Sequence, residues 1–372
     1  MFGTINTLQT SLKTTIVPRL KEEIANVALG TAWFKDFPVG EFGASDDLPF
    51  KLTQRITTDI DLVQAGLDQY QDSGGTDGPE SGMEAFYQAV TGEGLSWTVW
   101  TAGSVPKFNP YINYDPDGLG HGLIGGAGFR TGALPIIVHA TDVCAHPASD
   151  YLAAGITQAH SKEQAVAAAQ ALGARLIGIT SNVDTEAIDW NICPTTAKTE
   201  LTEIARATGA VVAPTAWGPS ETKCHTGVDG GLEEPDFAGL CPLVFTMHSS
   251  GSGLDAQVVD AIKALVTFGT IDISAIPAGD PQLLPAVDTA RFITTISPVS
   301  PAPAGATIVG NVFHDVQPGS PVRFRVRARN TTVESHREAQ LFRVAIRVMG
   351  DSVTSLDERD VYVVVPGGGI DP

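Results

Sequence analysis

Apolar residues recur every three or four positions from the start of the chain, at Ile5, Leu8, Leu12, Ile16, Leu20 and Ile24. This is the stripe of a long amphipathic helix. Pro18 lacks a backbone N–H, so it should kink that helix or mark its midpoint. The period then shortens: "VALGTAWF" (27–34) reads as a strand, and "PFKLTQRI" as a shorter one. Helical spacing returns in "DIDLVQAGLDQY" and "ESGMEAFYQAV". After a Gly-rich, aromatic stretch over 92–132, "LPIIVHATD" is a continuous apolar run ending in polar residues, as a buried parallel strand requires. Next come a helix in "SKEQAVAAAQALGA", a strand in "RLIGIT", a helix in "TAKTELTEIARATGA", a short strand in "VVAPT" and a last helix in "LDAQVVDAIKALVTFG".

Strands alternating with helices at this spacing predict an α/β domain over 1–269, built on a doubly wound, mostly parallel sheet. Ligands of such sheets bind at the carboxyl ends of the strands. Past Gly269 the period changes to two: "ARFITTISPV", "GATIVGNVF", "PVRFRVRARN", "AQLFRVAIRVMG" and "RDVYVVVP" alternate apolar with polar residues between Pro, Gly and Asn turns. These runs predict a small all-β sandwich domain over 270–372. The segment around "ISAIPAGDPQLLP" reads as the linker.

The formal net charge of −19 over 372 residues repels nucleic acid and anionic lipid, and favours divalent cations or basic partners. No apolar run reaches the roughly 18 residues of a membrane span, and the N-terminus lacks the basic-then-apolar order of a secretion signal. Cys144, Cys193, Cys224 and Cys241 include no C-x-x-C, which disfavours a zinc ribbon or a thioredoxin-like site. Two disulfides in an oxidising compartment and four buried thiols in a reducing one fit that count alike. If disulfides form, Cys224 pairs with Cys241 across a Gly-rich acidic loop with few apolar anchors. Cys144 then pairs with Cys193, both lying beyond the carboxyl ends of neighbouring strands.

Carboxylates collect at that end of the sheet. Asp36 follows the strand over 27–34, Asp77 and Glu80 lie in the loop "TDGPE" ahead of a helix, and Thr141 and Asp142 close the strand "LPIIVHATD". Carboxylates converging with little positive charge nearby repel one another by a few kcal/mol unless a cation sits between them. Oxygen ligands of this kind suit Mg2+, Mn2+ or Ca2+. Each residue also has a plain structural reading: a polar loop position for Asp36 and Asp142, a helix-dipole contact for Glu80, an N-cap for Asp77. Their coincidence at one sheet edge favours the cation. His146, close to Asp142, reads as a loop hydrogen-bonder.

The segments "GTAWFKD", "DGPESGMEA" and "GFRTGALPIIVHATDVCAH" resemble the von Willebrand factor type A superfamily, and within it the I-like domain of integrin β subunits. The similarity covers 1–269. Asp77, Pro79 and Glu80 match a D-x-P-E-G-G loop, with Ser81 where a Gly is usual. The resemblance implies a metal-ion-dependent adhesion site holding Mg2+ or Mn2+ through Glu80 and Asp142. It also implies an adjacent Ca2+ site formed by Asp36, Asp77, the Pro79 carbonyl and Glu80. The family's D-x-S-x-S strand, central in its sheet, has no counterpart here, and its loss should leave a gap between the strands ending at Phe34 and beginning at Ile136. A start at an internal Met, with a signal peptide upstream, is the expectation drawn from this.

The function so implied is a non-enzymatic, extracellular or cell-surface binding module. An acidic group of a protein or glycan partner would complete the coordination of the cation. The alternatives are a metal-assisted hydrolase, which needs a general base near the metal, and a structural module without metal.

Overall fold

The computed structural model describes residues 2–24, 26–40, 42–70, 76–108, 124–130, 132–181, 195–248, 250–283 and 286–368. The chain divides into two compact units, Met1–Gly269 and Thr270–Pro372.

The first unit opens on α1 (Phe2–Ser11), which passes through a π-helical stretch, Leu12–Ile16, into α2 (Val17–Glu23). The widened turn lies directly ahead of Pro18, so the helix absorbs the missing N–H there instead of breaking. β1 (Leu29–Trp33) and β2 (Lys51–Thr57) pair antiparallel as a separate two-stranded sheet. α3 (Ile60–Leu67) is capped by Asp59, whose side chain accepts from the N–H groups of Asp61 and Leu62. α4 (Gly82–Thr91), a hairpin of β3 (Leu95–Trp97) and β4 (Gly103–Val105), β5 (Ile136–Thr141) and the short α5 (Ala148–Ala153) follow.

α6 (Lys162–Leu172) starts on a capping box between Ser161 and Gln164, and ends at Gly173 in the left-handed region (φ 72°). Then come β6 (Arg175–Ser181), α7 (Ala197–Ala207), β7 (Val211–Val212), β8 (Cys241–Pro242), β9 (Val244–Met247) and α8 (Leu254–Phe268).

β5, β6 and β9 form a parallel sheet in that order. One face carries Ile177, Ile179, Phe245 and Met247 against α8 and the first helix. The other carries Leu176 and Val244 against Met83 and Phe86 of α4, Ala165 and Ala169 of α6, and Leu201 and Ile204 of α7. Period-two alternation between two helical layers explains why these strands read as unbroken apolar runs.

Two expectations need correction. The third strand of the parallel sheet is β9, not "VVAPT", whose Val211 and Val212 pair antiparallel with β8. The four-residue β9 follows Pro242 and a long loop, so it offers little period to read. The segment expected to link the units begins as β10 (Ile271–Gly279), a nine-residue strand. Pro277 is tolerated because β10 bonds to β13 only at Ile271 and Ile273, leaving the side beyond free of a ladder.

The second unit is antiparallel. A five-stranded sheet runs β12 (Thr307–Val309), β13 (Val312–Val316), β10, β15 (Gln340–Gly350), β16 (Thr354–Val365), and a second sheet pairs β11 (Ile293–Pro298) with β14 (Phe324–Ala328). Phe342, Val344 and Ile346 of β15 pack with Ile293, Ile296 and Val326 of the smaller sheet.

Among the described residues β1 and β5 lie in separate sheets, joined by a ring contact of Phe34 on His139 at 4.9 Å. The disulfide Cys224–Cys241 forms, with a Cα–Cα separation of 5.5 Å. Cys144 is disulfide-bonded as well, and no cysteine among the described residues is free. Cys193 lies outside the described residues.

Candidate metal centre

The site is assembled by one backbone bridge. The Glu80 N–H donates to the Cys144 carbonyl at 3.1 Å, and the His146 N–H donates to the Glu80 carbonyl at 3.0 Å. This parallel bridge ties the loop ahead of α4 to the loop after β5. Ser81 closes the third side, its N–H donating to the Lys35 carbonyl at 3.0 Å and its hydroxyl to the Pro49 carbonyl at 3.0 Å. The loops carrying Asp36, Asp77 and His146 are thereby held together by main-chain bonds.

Asp36 is fully buried. Its Oδ1 accepts from the Phe37 N–H at 2.6 Å and from the Tyr151 hydroxyl at 2.7 Å. Its Oδ2 has no hydrogen-bond partner and lies 3.5 Å from His146 Nε2. The same Nε2 is 2.9 Å from Asp77 Oδ2, and His146 Nδ1 is 3.4 Å from Asp150 Oδ2. One ligand atom each from Asp36, Asp77 and His146 fall within 4.8 Å of one another. Phe42 and Tyr151 meet the His146 ring edge-on at 4.8 and 5.4 Å, fixing its plane. Asp77 keeps 26% of its side chain exposed, so the cluster opens to solvent on that side alone among the three.

The electrostatics are those of a site short of positive charge. Burial pushes Asp36 from 3.8 up to about 8; the bonds from Tyr151 and Phe37 oppose the rise, while Glu80 and Asp77 add to it. Burial likewise raises Glu80 from 4.5 to about 8, reinforced by Asp47, Asp77 and Asp142 and opposed by Lys35. Glu80 Oε2 is buried without a hydrogen-bond partner. Lys35 is itself engaged with Asp47 at 3.1 Å.

No known family model and no curated protein matches the chain.

Of the residues expected from the sequence, Asp36 and Asp77 share the compact group, and Glu80 and Asp142 interact electrostatically beside it. Pro79 is buried in the same loop. His146, expected only to bond its loop, joins the two aspartates in the group. Tyr151, bonded to Asp36, and Asp47, which acts on Glu80, complete the surroundings of the group. His146 had one legible signal, its place in the loop after β5 with Asp142; Tyr151 and Asp47 had none, because only long-range folding brings them in.

A nitrogen and two carboxylate oxygens at this spacing can take three positions around one cation, with solvent or a ligand completing the sphere. The buried Asp36 Oδ2 is the polar atom that such a cation would satisfy, at a point where an unpaired oxygen is otherwise costly.

Proposed function

We propose that the chain is a divalent-cation-dependent binding module in which Asp36, Asp77 and His146 hold the ion. The observation that carries this reading is the buried, unpartnered Asp36 Oδ2 within the compact three-residue group. Mn2+ suits the mixed set best, since it accepts carboxylates and imidazole, whereas Mg2+ and Ca2+ prefer oxygen alone. A second ion at Glu80 and Asp142, Mg2+ or Mn2+ in the resemblance, and Ca2+ at the neighbouring position belong to the same proposal. The separation of β1 from β5 supports the resemblance to an integrin β I-like domain lacking its central strand. The Cys224–Cys241 bond supports an extracellular or cell-surface setting.

The partner in this reading is a protein or glycan presenting an acidic group, which completes the coordination of the ion without chemistry. Immobilised Asp- and Glu-containing peptides and sialylated glycans should retain the protein in Mn2+ and release it in EDTA. Equal retention in both buffers would remove the cation from the account.

His146 favours one second reading. An imidazole beside the cluster supplies the nitrogen that a metal-assisted hydrolase needs as ligand or base. Mn2+-dependent turnover of chromogenic esters or phosphate esters, abolished by His146→Ala, would select it over adhesion.

A further inference from the structure

A second polar site lies on the first unit and shares no residue with the carboxylate cluster. A cavity of about 460 Å3 is lined by Glu93, Lys107, Gln158, His160 and Gln164 among others. Its volume is in the range of small-molecule sites.

His160 is held there on several sides. The buried Glu84 of α4 accepts from the His160 N–H at 2.7 Å, and its carboxylate lies 3.0 Å from His160 Nδ1. Gln88 Nε2 donates to the other Glu84 oxygen at 2.8 Å. Tyr87 stacks on the imidazole, with centroids 3.5 Å apart and planes 10° from parallel. A carboxylate only accepts, so Nδ1 carries a proton and donates to Glu84. In the Nδ1–H tautomer Nε2 is an acceptor, and it has no partner among the described residues.

The other groups sort by hydrogen-bonding sense. Lys107 forms no ion pair among the described residues. Gln158 and Gln164 give their carbonyl oxygens to the N–H groups of Ser96 and Ser161, so each keeps its amide NH2 as a donor. Glu93 spends Oε2 on the Tyr87 hydroxyl at 2.9 Å and keeps Oε1. The cavity therefore offers an ammonium and two amide donors for an anion, and a carboxylate and an imidazole nitrogen for a cationic donor.

From this we infer that the cavity binds a small zwitterion carrying a carboxylate and an ammonium, the class of free α-amino acids. The carboxylate pairs with Lys107 and the glutamine amides; the ammonium donates to His160 Nε2 and Glu93. A simple anion would leave His160 and Glu93 facing it with lone pairs, and a simple cation would leave Lys107 unpaired.

Saturation-transfer NMR of the full chain in EDTA, against the twenty free amino acids, tests the inference apart from the cation site. At least one should show saturable binding, and its N-acetyl and carboxamide forms should bind about tenfold more weakly or worse, as expected for loss of one charge-assisted pair. Lys107→Met and Glu93→Gln, both at exposed positions, should weaken binding by a similar factor with an unchanged melting temperature. Absence of saturable binding by any amino acid, or equal binding by the blocked forms, would overturn it.

Discussion

Replacing Asp36 by Asn changes the charge of the cluster and little else. Asn Oδ1 can accept from the Tyr151 hydroxyl and the Phe37 N–H as the carboxylate does. The oxygen removed is Oδ2, which has no hydrogen-bond partner. Asp36 is an acid whose folded value, about 8, stands above its ordinary 3.8. Between those values the folded protein holds a proton that the unfolded chain has lost, so this contribution favours folding at low pH and is lost as pH rises from about 4 through 8. At about 1.4 kcal/mol per pH unit the full span is on the order of 5 kcal/mol, an upper bound once relaxation and water entry act. Without cation, Asp36→Asn should therefore be more stable than the parent by a few kcal/mol at pH 8.5, and the gap should close towards pH 4. With cation at about a hundredfold its Kd, the parent should gain roughly 2.7 kcal/mol and the variant much less, reversing the order or nearly so. Urea titrations followed by tryptophan fluorescence, at three pH values in EDTA and in Mn2+, give all of these differences. A variant less stable than the parent at pH 8.5 in EDTA, with a difference that does not change with pH, would mean that Asp36 is not held protonated by its burial.

Three other outcomes follow from the same geometry. Glu80→Gln should flatten the fall in metal-free stability between about pH 4.5 and 8, because Glu80 is raised across that window and its charged form is destabilised above it; thermal melts in EDTA against pH read this directly. Tyr151→Phe keeps the contacts to Phe37 and Phe42 but removes the donor to Asp36, so calorimetry should show about tenfold to a hundredfold weaker cation binding, as for loss of an orienting bond to a ligand. Serines at both Cys224 and Cys241 should lower stability by about 3 kcal/mol in urea titration, whereas an unchanged midpoint would mean that the intervening loop is ordered without its staple.

How much of this was legible in the chain depended on how local each feature is. β6 is readable because burial on both faces makes it an uninterrupted apolar run, β5 because its half-buried edge strand opens on the apolar Ile136, Ile137 and Val138, and α6 because its stripe, capping box and terminal glycine agree. β9 was not, since four residues carry too little period. β10 reads as a linker because Pro277 and Gly279 are turn residues in most contexts, and only the one-sided pairing explains them. Asp36 stands out as a carboxylate just past a strand and Asp77 as one in a loop ahead of a helix. His146 reaches them through the Glu80–Ala145 bridge, between residues 65 positions apart in sequence, and no spacing rule announces such a contact. Tyr151 reads as an ordinary aromatic of a short helix until the fold sets its hydroxyl on Asp36.

Whether Asp36, Asp77 and His146 together hold one divalent cation is decided by Mn2+ binding to the full chain, followed by calorimetry with paramagnetic resonance on the same samples. The parent should bind Mn2+ saturably and show a nitrogen coupling from the imidazole that disappears in His146→Ala, and Asp36→Asn and Asp77→Asn, each removing one charged ligand, should bind at least tenfold more weakly, on the order of 1.4 kcal/mol. Affinity unchanged in all three variants, or no saturable Mn2+ binding by the parent, would contradict it.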